Sequence, residues 1–332
     1  RVSQVTLLER SNIDGKRLTR WPTTGLEVPM TEPLHPLSPL RIAAAPISWG
    51  VCEVPGWGHI LDPDIVLAEM ASLGLTATEF GPPGYLPADP AELRKTLRGY
   101  GIAPIGGFLA LALHREPSWA LTAARTAAAQ FAAAGAEVLV LAAATGHDGY
   151  DTRTPLDARQ WRTLLDTAAA VADIAAEHGL RLAVHPHVGT HVETAAEVER
   201  FLADSDLDLC LDTGHLLIGG ADPVQLARRH PDRLGHIHLK DVRAALADEV
   251  RSGAVEYSEA VRRGLYVPLG AGDVEVAALV RAAHAGGYRG WYVIEQDTAL
   301  GPGETAAAAT AAARQSLRHL AEIAAGLASA RI

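Results

Sequence analysis

Residues 180–215 read LRLAVHPHVGTHVETAAEVERFLADSDLDLCLDTGH, and one strand–helix–strand unit can be taken from them directly. The apolar run 180–187 has strand length, and so does 207–212. Between them, Thr194 with Glu197 three residues later has the form of a capping box opening a helix. Two strands joined through a helix run parallel, because a tight hairpin cannot return the chain in the same direction. The same unit recurs outward in both directions. Further strand runs lie at 41–47, 75–80, 102–109, 137–143, 233–240 and 290–295, each followed by enough chain for a helix. Asp62-Pro63, Asp89-Pro90 and Asp222-Pro223 each place a side-chain cap before a proline, whose missing N–H costs nothing at the first helical position. Gly74, Gly179 and Gly286 stand where helices need a left-handed terminating residue.

Eight such βα units after residue 40, with no break in composition, predict a (β/α)8 TIM barrel, a single domain over 41–332. A doubly wound sheet ranks lower. No Gly-x-Gly-x-x-Gly follows the first strand, and the polar residues that look chemical end many strands where a doubly wound fold would gather them at one switch point. Residues 1–40 carry five prolines, mixed charges and little periodicity, and are expected to be an N-terminal arm or leader outside the barrel, with contact to a neighbouring copy in a homo-oligomer as its anticipated role.

The 332 residues are 48% hydrophobic and 20% charged, which suits a folded globular chain. A net charge of -10 with no basic run argues against nucleic acid as a partner. Cys52 and Cys210 form no Cys-x-x-Cys pair, so a reducing, cytoplasmic setting is expected. No window approaches the ~18 consecutive apolar residues of a membrane span, and the first 30 residues lack the apolar core of a signal peptide, so no membrane partner is expected.

The last four strand runs all end in metal-ligating or ionisable groups: His185-Pro186-His187, Asp212-Thr213-Gly214-His215, His236-Ile237-His238-Leu239-Lys240-Asp241 and Glu295-Gln296-Asp297. Alternate strand residues share a face, and the carboxyl ends of barrel strands converge on one mouth. Any one of these residues alone reads as an ordinary cap. Four strands in succession presenting imidazole, carboxylate, imidazole and carboxylate point instead to one divalent metal. Nitrogen and oxygen donors without thiolate suit Mn²⁺ or Co²⁺, with Mg²⁺ or Zn²⁺ also compatible.

These motifs, with Ala45-Pro46-Ile47-Ser48-Trp49 and Val267-Pro268-Leu269-Gly270-Ala271-Gly272-Asp273, resemble the inosose (2-keto-myo-inositol) dehydratases of the xylose-isomerase-like TIM barrel superfamily, in the same order from about residue 41 to 325. The resemblance implies that Asp212, His238 and Glu295 bind the metal, and His185, standing where the superfamily's epimerases carry a glutamate, is expected as the fourth ligand. It implies a metal-dependent lyase that dehydrates a keto-polyol or keto-sugar through an enolate. A ketose isomerase or epimerase is the alternative, and His185 removes half of the glutamate pair that such an enzyme uses.

Dehydration of a β-hydroxy ketone needs a Lewis acid, a base for the α proton and an acid for the departing hydroxyl. His187 or Glu79 is expected as the base, Lys240 as the group that steadies enolate charge, and His215 as the residue that orients or protonates a substrate oxygen. Each has an ordinary counterpart. Glu79 suits capping of the loop after its strand, Lys240 an ion pair with Asp241 or another rim acid, and His215 a further ligand or a helix cap. His236 reads as a satisfied core histidine. Trp49 and Arg243 are expected to touch substrate, Trp49 as an aromatic wall for the ring. The polar segment 241–272 is expected to cover the pocket.

Overall fold

Helix starts set the frame. Asp62, Asp89 and Asp222 each accept backbone N–H bonds two or three residues on, with Pro63, Pro90 and Pro223 opening the helices α1 (Pro63–Ser72), α2 (Pro90–Gly99) and α7 (Pro223–Arg229). Thr194 and Glu197 form the reciprocal capping box of α5 (Ala195–Asp204). Asp157 and Gln160 form a second one on α4 (Ala158–Glu177). Gly74 and Gly179 adopt positive φ as anticipated. Gly286 does not: its φ is -70°, and Gly287 takes the left-handed place. A Cβ on Gly286 would lie 2.7 Å from the Cβ of Pro231, so close packing is what requires glycine there.

The protein was analysed as a computed structural model, in which residues 37–329 are described. The strands are β1 (Arg41–Ala44), β2 (Ala77–Glu79), β3 (Ala103–Leu111), β4 (Val138–Ala143), β5 (Arg181–Val184), β6 (Leu209–Asp212), β7 (Leu234–Leu239), β8 (Asp241–Val242), β9 (Tyr266–Val267) and β10 (Trp291–Ile294). Eight of them close into a parallel barrel in the order β1-β10-β7-β6-β5-β4-β3-β2, so the doubly wound alternative is excluded. All eight strand runs read from the sequence are present. The expected N-terminal arm lies almost wholly outside the described residues.

Small side chains fill the barrel interior, with Ala43, Ala77, Ile105 and Val293 in one cluster and Val138, Val140, Ala183 and Cys210 in another. The helices pack on the outside of the strands through a larger apolar layer. Among the described residues no helix is long and apolar enough to cross a membrane.

Two strand ends differ from expectation. β1 stops at Ala44, and Pro46–Trp49 form a 3₁₀ turn. β5 stops at Val184: the His185 N–H still reaches Leu141 O at 2.8 Å, but Pro186 has no donor, and the His187 N–H turns to Val192 O at 3.0 Å. The segment after β7 is more ordered than a polar loop. β8 and β9 pair antiparallel, and between them lie α8 (Ala244–Arg251) and α9 (Tyr257–Arg262).

Candidate active site

Asp212 ends β6 and serves two purposes with its two oxygens. Oδ1 accepts the His215 N–H at 2.8 Å, capping α6 (Thr213–Ile218), which leaves Oδ2 facing the barrel mouth. Around Oδ2 stand His185 Nε2 at 3.2 Å and His238 Nδ1 at 3.6 Å. The same Nδ1 lies 2.7 Å from Glu295 Oε2, yet neither atom has a hydrogen-bond partner and both are buried. On the other side of the ring, His238 Nε2 donates to Glu79 Oε1 at 3.0 Å, and that oxygen also accepts from His236 Nε2 at 2.8 Å. Burial disfavours a charged His238, but the carboxylates of Glu295, Glu79 and Asp212 around the ring outweigh it and hold the His238 proton well above the usual histidine range.

This explains Glu79 in a way the sequence did not suggest. It neither caps the loop nor stands free as a base. Burial works against its charge, but His238 and His236 outweigh that and hold the carboxyl well below its usual range. With Oε1 bonded to both imidazoles, Glu79 holds the two histidine rings in place. His236 is half satisfied: its Nε2 is bonded and its Nδ1 is not.

Lys240 is fully sheltered. Its Nζ pairs with Asp297 Oδ1 and lies 3.2 Å from His215 Nε2, 3.5 Å from Glu295 Oε2 and 3.8 Å from Asp212 Oδ2. The expected rim partner Asp241 is engaged elsewhere, accepting N–H bonds from Gly270, Gly272 and Val274. Burial disfavours the ammonium, but Asp297, Glu295 and Asp212 outweigh it and hold the Lys240 proton well above the usual lysine range. The Lys240 stem is admitted by Gly214, where a Cβ would come within 2.7 Å of Lys240 Cβ. Asp297 is fixed in turn by Tyr257 of α9, whose hydroxyl reaches Oδ2 at 2.6 Å and Tyr266 Oη at 2.9 Å. The segment expected to cover the pocket therefore contributes two buried tyrosines that brace it.

His187 Nδ1 lies 2.6 Å from the Val188 carbonyl, so it is the donor there, and Nε2 keeps its lone pair. Its ring lies against those of His215 and Tyr150, with centroids 3.8 and 4.4 Å away. Burial pushes His187 and His185 each down to about 4, with Lys240 adding to the shift at His187. Both are neutral imidazoles at ordinary pH.

A cavity of about 340 Å³ opens above these groups, lined by Glu79, His185, His187, His238, Lys240 and Glu295 among others. That volume suits a small-molecule site. His215 is not among the lining residues. It sits beside Lys240 and His187, its Nε2 3.2 Å from Lys240 Nζ, and with His185 and Asp212 it offers ligand atoms within 4.8 Å of one another, the further-ligand alternative. Trp49 is also displaced. It is fully buried, and its Nε1 donates to Thr310 Oγ1 at 3.0 Å on α11 (Ala307–Ser329), so it is packing and not a wall. Trp49→Phe is expected to lower stability by about 1 kcal/mol, measured by urea unfolding, with KM unchanged. Arg243 is exposed, donates to the Gly264 carbonyl at 3.0 Å and does not line the cavity. The aromatic and polar contacts at the mouth come instead from Trp57, Phe108, Tyr150 and Glu53. No spacing in the sequence marked those four. Asp297 was legible, two residues beyond Glu295 just after the last strand. Cys210 also approaches the rings of His185 and His238, but burial pushes its thiol up to about 11, so it stands there protonated.

The sequence profile described as "Xylose isomerase-like TIM barrel" matches residues 67–323. An inosose dehydratase of Geobacillus kaustophilus is 34% identical over 279 residues, a match covering 80% of this chain and 90% of the relative. Among solved structures, an L-ribulose 3-epimerase aligns with a TM-score of 0.61 at 18% identity, covering 88% of this chain and 99% of its own. The IolI protein with a bound zinc atom aligns with a TM-score of 0.58 at 14% identity, covering 86% and 96%. At such identities the two structural likenesses speak for the fold alone.

Proposed function

The chain belongs to the xylose isomerase-like TIM barrel family, on the branch of the inosose dehydratases, and from that premise we propose that it removes water from a cyclic keto-polyol with the help of one divalent cation. The observation that carries the reading is the meeting of Asp212 Oδ2, His238 Nδ1 and Glu295 Oε2 beside the cavity, with His185 Nε2 3.2 Å from the same Asp212 oxygen.

The residues fit a cation. His238 Nδ1 stands 2.7 Å from Glu295 Oε2 and 3.6 Å from Asp212 Oδ2, so positive charge is favoured at this point, carried by a proton on His238 or by a cation in its place. Asp212, Glu295 and Asp297 stand around the single ammonium of Lys240, with Glu79 on the far side of His238, and a divalent ion would offset negative charge gathered there. Asp212, His238, Glu295 and His185 would hold it, with Glu79 orienting His238 from its far nitrogen. Two imidazoles and two carboxylates favour Mn²⁺ or Co²⁺ over the purely oxygen-seeking ions. When bound, the ion supplies a Lewis acid for the substrate carbonyl.

The chain's own groups account for the protons. His187 Nε2, with its lone pair toward the cavity, takes the proton from the carbon beside the carbonyl. The C–H electrons become the new C=C bond, the β C–O bond breaks, and the departing hydroxyl leaves as water when the His187 imidazolium returns the proton. A ring that holds a proton as loosely as this one is well suited to give it back. Lys240 keeps its own proton and steadies the negative charge that develops on substrate oxygen. The apolar side of the cavity keeps bulk water away.

An ultraviolet assay tests the reaction. Manganese-loaded protein with 2-keto-myo-inositol or a related keto-polyol is expected to generate an absorbing unsaturated ketone or its diketone tautomer. Turnover of a ketose with flat absorbance would make the protein an epimerase or isomerase instead.

A further inference from the structure

The cavity has two unlike walls. One, from the ends of β5 to β7 and β10, consists of ionisable groups, namely His185, His187, His238, Lys240, Glu295 and Asp297. The other, from β1 to β3 and the loops after them, is mostly apolar, with Ile47, Val51, Pro82, Pro83, Phe108 and Leu109 beside the polar Glu53 and Glu79. None of those six apolar side chains donates or accepts a hydrogen bond, and the two prolines lack even a backbone N–H. The polar atoms near this wall are already engaged. Trp57 Nε1 donates to Thr298 O at 2.9 Å, and Tyr150 Oη donates to Glu53 Oε1 across the mouth.

Charge narrows the ligand further. Among the described residues that line the cavity, Lys240 is the one lysine or arginine, and its ammonium is committed to Asp297. The Glu53 carboxylate stands at the opposite side. A phosphate or carboxylate remote from the reacting carbons would find no further lysine or arginine on the described lining and would face an acid.

A ring ketone bearing a hydroxyl on every other carbon, set with its carbonyl and reacting carbons against the ionisable wall, turns its remaining hydroxyls toward the apolar one. Each would surrender water without a replacement partner, a loss of about tenfold or more in affinity per group. We propose that the preferred substrate is an uncharged cyclic ketone with an apolar edge remote from the reacting carbons, that is, a keto-polyol lacking one or more of those hydroxyls or carrying them as O-alkyl ethers. This rests on the dehydratase reading for the orientation of the ring.

The test uses the manganese-loaded full chain and three probes: 2-keto-myo-inositol, a mono-O-methyl ether of it and a monodeoxy analogue, each modified on a ring carbon remote from the carbonyl. Affinity is measured by calorimetry and turnover by absorbance, so that the two readings fail separately. The ether or the deoxy ketone is expected to bind at least tenfold more tightly than 2-keto-myo-inositol. Leu109→Asn and, as a second variant, Ile47→Asn each place a hydrogen-bonding group on the apolar wall, and are expected to reduce that ratio at least threefold with metal content unchanged. Both residues are only part-buried. Tight binding of the ether or deoxy ketone without an absorbing product would uphold this substrate class and overturn the dehydratase reading. Equal or tighter binding of 2-keto-myo-inositol, no binding of any probe, or an unchanged ratio in both variants would overturn the inference.

Discussion

Glu295→Ala and Asp212→Asn are each expected to lose the divalent ion and, with it, essentially all turnover. The argument is electrostatic as well as geometric. Glu295 Oε2 and Asp212 Oδ2 stand 2.7 and 3.6 Å from the same atom, His238 Nδ1. Removing either charge removes much of the field that favours a cation there, and a retained ligand cannot replace a missing one across a rigid barrel floor. Metal affinity is expected to fall by more than about 10²-fold, since loss of even a supporting partner costs roughly 10–100-fold. Asparagine is the better replacement at 212, because its carbonyl can still cap α6 through the His215 N–H. The thermal midpoint of the metal-free protein separates lost ligation from lost folding. Elemental analysis showing stoichiometric metal in both variants would remove these residues from the site.

His187→Ala and Lys240→Ala are expected to do the opposite: metal stays, and kcat falls on the order of 10²-fold or more, the range for a lost general base or charge stabiliser. His187 is separated from the ligand set by its own bond to Val188 O and by its stacking on His215. Lys240 has no lone pair for a metal while it holds its proton, and Asp297, Glu295 and Asp212 make it hold that proton firmly. Lys240→Met, which keeps the stem volume that Gly214 accommodates, guards against a simple packing loss. Loss of metal from His187→Ala would move that residue into the ligand set. Near-normal kcat in both variants would leave the α proton without an acceptor and overturn the mechanism.

Several parts of this arrangement were legible beforehand because they are local. Asp62, Asp89 and Asp222 before proline, and Thr194 with Glu197, mark helix starts through bonds that reach two or three residues, and each forms as read. Strand-length apolar runs mark strands because one period of two defines both faces. Polar groups at the ends of four successive runs mark the mouth of a barrel, since parallel strands carry their carboxyl ends to the same side. The same locality explains two misplacements. Trp49 follows the first strand closely, but the 3₁₀ turn at Pro46–Trp49 rotates it away from the mouth and under α11, where Thr310 takes its N–H. Arg243 follows Lys240-Asp241-Val242 in line, yet the chain leaves β8 for α8 at this residue and its side chain lies in solvent.

By itself, then, the sequence determined the eightfold repeat, several helix starts and the ionisable groups at the ends of the last four barrel strands, all of which depend on backbone geometry over a few residues. Only the tertiary structure decided what each of those groups is bonded to. Glu79 became the orienting partner of His236 and His238, which lie 157 and 159 residues away. Asp297 became the anchor of Lys240, and Tyr257, on a helix with no motif, became the anchor of Asp297. Whether a carboxylate acts as a base, a ligand or a support depends on which charges and donors surround it once water is excluded, and that surrounding is assembled from strands far apart in the chain.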